Sequence, residues 1–148
     1  MRSKRVVRPT PWHLWLVSLA GLTWNSYAAF VAVSVILEGD RYWNKFGLVG
    51  QPWELLSAIP LWVRMTDAIV ALAVVLGCLL LLARRKAATI VLIAALAAQI
   101  ISFAYRVLAM DVLEVFGNGI LYIGALLLLL ISAFPAYSAW LTKRGVIH

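Results

Sequence analysis

The chain has 148 residues, of which 64% are hydrophobic and only 13% charged, with a formal net charge of +7 and a mean hydropathy of +0.95. A soluble domain averages about 45–50% apolar and about 25% charged residues, and one of this length hides only about 68–70% of its unfolded surface. A soluble enzyme, a disordered tail and a disulfide scaffold are excluded, the last because Cys78 is the single cysteine.

A bilayer core about 30 Å thick takes about 20 apolar residues of helix. Four segments qualify, at about 12–37, 59–83, 87–108 and 119–141. Each is apolar all round, whereas a helix of a soluble bundle keeps one polar face. The first reads as a span and not as a removed signal peptide, being too long and lacking a small-residue cleavage motif.

Ser18, Gly21, Asn25, Ala28 and Ala32 recur in the first span at intervals of three and four. This is one small-residue face, of the kind that lets a second helix come close. Asn25 lies about 13 residues into the span, roughly 20 Å deep at 1.5 Å per residue. Trp12, Trp15, Trp43, Trp53, Trp62 and Trp140 fall near span ends, where indole rings favour the headgroup level. Trp24 alone is in mid-span.

The loop at 38–58 interleaves Tyr42, Trp43, Phe46, Trp53 and Leu55–Leu56 with charges, and Pro52 is a helix-start signal. It reads as an amphipathic segment in the membrane interface or as a surface loop with aromatic anchors.

The second span carries Arg64 and Asp67 three residues apart, within reach of an ion pair. Arg84, Arg85 and Lys86 then make a tight turn into the third span, where Gln99, Ser102 and Arg106 form a polar stripe. Gln99 is expected at the depth of Asn25, so that the two amides bond to each other or to a carbonyl, or line a solute site. In the fourth span Tyr122 lies level with Asp67, and Pro135 with Ser132 is expected to kink the helix. Arg64, Asp67, Arg106 and Tyr122 together would form a charge-balanced network or a proton or anion site; intramembrane ionisable groups require such partners.

Nine of the 13 basic residues (2, 4, 5, 8, 84–86, 143 and 144) lie on one side of the four spans. All six carboxylates lie on the other or within the spans. Lys and Arg stay cytoplasmic during insertion, so the expected fold is all-α: a polytopic, antiparallel four-helix transmembrane bundle with both termini inside, one domain over residues 1–148. Basic residues split among three short segments make no nucleic-acid stripe.

No His, Cys or carboxylate cluster has metal-ligand spacing, and no serine has an adjacent base. No cofactor and no enzymatic activity are therefore expected. Internal repeats of the transporter kind are not visible.

The segments Pro11-Trp12-His13-Leu14-Trp15, Leu22-Thr23-Trp24-Asn25 and Ala28-Ala29-Phe30 resemble a family of small, mostly uncharacterised four-span proteins of proteobacterial inner membranes. The similarity continues at Pro60-Leu61-Trp62, over 77–86 and at Lys143-Arg144-Gly145-Val146. Members commonly carry an acidic residue and a tyrosine just after the position of Phe30, where this chain has Val31 and Ala32. The resemblance implies the same fold and a bacterial inner membrane; some members are called sugar transporters. From the residues themselves two functions are expected. One is an accessory subunit that binds other membrane proteins or its own copies within the lipid bilayer, for which the lack of repeats and the scarcity of midplane charge speak. The other is a small-solute transporter, proton-coupled or not, acting as an oligomer, for which Asp67, Arg64, Arg106, Asn25 and Gln99 speak.

Overall fold

The computed structural model describes residues 11–45, 47, 51–110 and 112–147. Every described element is an α-helix: α1 (Trp12–Glu38), α2 (Asp40–Asn44), α3 (Gln51–Ser57), α4 (Leu61–Leu82), α5 (Ala87–Ala109), α6 (Val112–Phe116) and α7 (Gly119–Lys143). Four of them, α1, α4, α5 and α7, are long and apolar enough to cross a membrane. The shortest, α4, has 22 residues, about 33 Å of helix against a core of about 30 Å. Their bounds agree with the expected spans to within two residues. The basic residues before Pro11, along with Phe46, Asp111 and His148, lie outside the described residues, as do the side chains of Trp43 and Trp53.

Local chemistry sets the helix ends. Pro11 and Pro60 precede α1 and α4 in extended conformation, and their carbonyls accept the first turn's N–H bonds from Leu14 and Val63, both at 3.0 Å. A proline ring locks φ near the helical value and lacks only a donor, so it suits a helix start. At the far end of α4 the Arg85 N–H bonds back to Leu80 (2.9 Å) and the Arg84 N–H to Leu81 (3.0 Å). This is the Schellman turn, and it sets Arg84 at φ +55°, a left-handed conformation usually left to glycine. The end of α7 repeats the turn with a glycine: Gly145 has φ +71°, and the Val146 N–H bonds to Leu141 at 3.1 Å.

The long helices alternate in direction, so Trp12, the 84–86 turn and Lys143 share one end, the basic end. The short helices share the other, the loop end, where α3 packs on α6. In the bundle α1 packs on α4, α4 on α5 and α5 on α7, whereas the backbones of α1 and α7 scarcely approach each other. The four spans thus form a curved row with an open side.

The core fills the basic-end half. Leu14 of α1, Val74, Cys78 and Leu81 of α4, Leu92 of α5 and Leu141 of α7 are all essentially buried. Beyond the glycine turn, Val146 and Ile147 fold back into the same cluster. Thr89 and Ser138 share a hydrogen bond of 2.6 Å between α5 and α7. Glycines seat large side chains: a Cβ at Gly77 would come 2.5 Å from Leu92, and one at Gly124 would collide with the ring of Phe103. α7 continues as helix through Pro135, whose ring offers no N–H to the Ile131 carbonyl. The outer surface is aliphatic, with Leu37, Ile90 and Leu108 among the most exposed side chains. An apolar surface of this extent, on four helices of spanning length, suits contact with lipid and not with water.

Candidate functional site

The open side between α1 and α7 is closed at the basic end by side chains alone. Phe134 of α7 lies on Gly21 of α1, where an added Cβ would stand 2.6 Å from the ring's Cζ and 3.0 Å from Cys78 Sγ. Next to this plug, His13 Nδ1 and the Tyr137 hydroxyl share a hydrogen bond. Tyr137 stacks on Trp140 at 6.0 Å between centroids, and the Arg144 guanidinium sits 4.0 Å from the Trp140 centroid.

Past the plug the gap widens into two cavities of about 970 and 530 Å³. They share Trp24, Ala28, Ala32, Asp67, Gln99, Arg106 and Leu127, so they are parts of one cleft. The larger abuts Gly21, Phe134 and Tyr137; the smaller extends to Leu55 and Leu56 of α3 and Val112 of α6 at the loop end. Both volumes fall within the range of about 300–1,000 Å³ usual for small-molecule sites.

One polar patch interrupts the apolar lining. Asp67 on α4 forms an ion pair with Arg106 on α5 and accepts a hydrogen bond of 2.9 Å from Ser102. The two charged side chains keep 27% and 25% of their surface accessible, while Ser102 is buried. Gln99, Ser102 and Arg106 stand three and four residues apart, so the helical repeat sets them on one face of α5, towards α4. The Gln99 amide lines both cavities.

Several expected contacts are replaced by others. Arg64 does not pair with Asp67; its Nη2 donates to the carbonyls of Leu56 (3.1 Å) and Ser57 (2.8 Å), the free acceptors at the end of α3. The Nε atoms of Arg64 and Arg106 are buried without an acceptor among the described residues. Tyr122 is 76% exposed and belongs to no network. Gly124, which seats Phe103, turns that part of α7 towards α5, and Tyr122 lies about 200° round the helix from it. Of the two bonding partners expected for Asn25, the structure shows the carbonyl: its amide donates to Gly21 of its own helix at 2.9 Å and not to Gln99. The small-residue face of α1 divides. Ser18, Gly21 and Asn25 are buried, whereas Ala28 and Ala32 are half-buried in the cleft wall.

Four contributors were not expected from sequence: Phe134, Phe103, His13 with Tyr137, and Ser102 as a ligand of Asp67. Depth matching finds the first. Gly21 lies about nine residues into α1 and Phe134 about nine from the end of α7, equal distances from the basic end.

Among the described residues no group of three His, Cys, Asp or Glu side chains is arranged to hold a metal ion. Comparison with protein-family models, with curated proteins and with solved structures finds no match to this chain. Chemically, the cleft can hold an apolar body beside a few strong hydrogen-bond donors, or take an apolar helix along its open side.

Proposed function

We propose that the protein is a non-enzymatic accessory subunit of a membrane assembly, and that it meets its partner along the open side between α1 and α7. The observation that carries this reading is the scarcity of backbone contact between those two helices, with the cleft open between them towards the loop end. In lipid, no hydrophobic force drives helices together; association comes from close packing over small residues. Ala28 and Ala32 in the cleft wall offer such seats, and Trp24, Tyr27 and Leu127 expose large apolar side chains around them. A photoreactive amino acid at position 127, in native membranes, is expected to give a discrete protein adduct. Its mass separates a second copy of this chain from another subunit. One at position 90, on an exposed face of α5 away from the cleft, is expected to give lipid adducts only. Lipid adducts alone from both sites would overturn the reading.

We take the membrane to be the bacterial inner membrane, with both termini and the 84–86 turn cytoplasmic. The asymmetry of Lys and Arg supports this orientation, and the family resemblance supports the compartment. With Cys78→Ala as background, Lys45→Cys is expected to react with an impermeant thiol reagent from the periplasmic side only. Labelling solely from the cytoplasm would reverse the orientation.

Small-solute transport is the second reading. It is favoured by the charged patch in the wall of a cleft that is plugged at the basic end by Phe134 on Gly21. Solute counterflow by the purified protein alone in proteoliposomes would establish it over the first.

A further inference from the structure

We propose that the loop-end half of the cleft binds an amphipathic anion, a carboxylate or phosphate group carried on a single apolar chain. This goes beyond both readings above; the apolar chain and a partner helix seated on Ala28 and Ala32 would compete for one wall, so the test uses the protein without a partner.

Charge is the first argument. Among the described residues, the charged ones lining the 530 Å³ cavity are Arg64, Asp67 and Arg106, two cations against one carboxylate. In surroundings of low dielectric an uncompensated charge is costly, and an anion in the cavity would balance it. Donor inventory is the second. Arg106 uses Nη2 on Asp67, and Arg64 uses Nη2 on two carbonyls. The Nη1 groups of both and the Gln99 amide donate to no described group. A guanidinium presents its donors as a planar fork that matches carboxylate and phosphate oxygens.

Depth gives the third argument. Arg64 is three residues from the start of α4 and Arg106 three from the end of α5, so both lie within about 5 Å of the helix ends. That is the level at which lipid headgroups meet their chains. Deeper in, the cleft runs between Trp24, Ala28, Leu127, Leu130 and Phe134 to the plug on Gly21, a lining suited to a hydrocarbon tail. Other ligand classes fit less well. A sugar has many hydroxyls and would find few partners on these walls. A cation would meet a carboxylate already engaged by Arg106 and Ser102.

The test uses the full chain in nanodiscs of zwitterionic lipid. The probes are three fluorophore-tagged C16 chains (about the length of an ordinary acyl tail) ending in a carboxylate, a phosphate monoester or an alcohol. At least one anionic probe is expected to bind saturably and about tenfold or more tighter than the alcohol, the scale of one charge-assisted hydrogen bond. Whichever anion binds tighter names the head group. Arg64→Gln is expected to bring the anions down to the level of the alcohol while the alcohol still binds, which shows that the cleft remains formed. Ala32→Phe fills the chamber without touching a charge and is expected to abolish binding of all three. Equal binding of anion and alcohol by the unaltered protein would overturn the proposal without recourse to any variant. So would an anion preference that survives Arg64→Gln.

Discussion

Asp67→Asn is expected to destabilise the bundle by about 3 kcal/mol, because it leaves the Arg106 guanidinium unpaired within the membrane-spanning region. Asparagine still accepts from Ser102, so the loss falls on Arg106, which is left without both the counter-charge and the acceptor at Oδ2. Arg106→Gln should cost a similar amount by stranding the carboxylate. The double variant should recover a large part of either loss, since removing both charges removes the desolvation penalty with them. A cycle between Asp67 and Arg64 should give an interaction energy below about 0.5 kcal/mol, because Arg64 is bonded to carbonyls of α3. Denaturant unfolding in detergent measures all of these. Strong coupling of position 67 to position 64 and none to 106 would show that the ion pair joins the other partners.

Gly21→Leu is expected to cost about 3 kcal/mol, at the upper end for overpacking. The new side chain has Phe134 on one side and Cys78 on the other, and the α1–α7 closure has little backbone contact in reserve. Leu127→Ala should cost less than about 1 kcal/mol, because Leu127 is 40% exposed and loses contacts on one flank only. Adding Phe134→Ala to Gly21→Leu should restore part of the loss by vacating the space the leucine needs. Thermal melts that rank Leu127→Ala as the more damaging change would mean that Phe134 yields readily and that the plug is loose.

The long helices were legible because length and apolarity decide a span one residue at a time, with no reference to its neighbours. Pro52, read as a helix-start signal, lies in the first turn of α3. Depth was legible too: Asp67 and Arg106 were expected in one layer, and they form its ion pair. Azimuth was not. Tyr122 has the right depth but the wrong side of α7, which is turned by Phe103 in the notch of Gly124; that notch exists only once two helices meet. Arg64 was near Asp67 in sequence, yet its partners are carbonyls brought to it by α3, an element whose return depends on the whole loop. The amphipathic reading of the loop left α2 and α3 unresolved and missed α6. Helices of five to seven residues form through tertiary contact rather than local propensity.

The order of the helices also bears on how the chain assembles. Long helices that share backbone contacts follow one another along the chain, so each can dock as soon as its predecessor is in the membrane. Closure between α1 and α7 differs: His13 and Tyr137 are 124 residues apart. Loop-closure entropy grows with that separation, and contacts of long range form late and slow folding. The plug on Gly21 is therefore expected to form last among the tertiary features and to open first when the native state fluctuates. Hydrogen exchange should find the lowest opening free energies along α7, where few residues are buried, and the highest in the middle of α4. On that expectation α7 is the wall that would yield first, and the chain order that delays its docking would also set access to the interior.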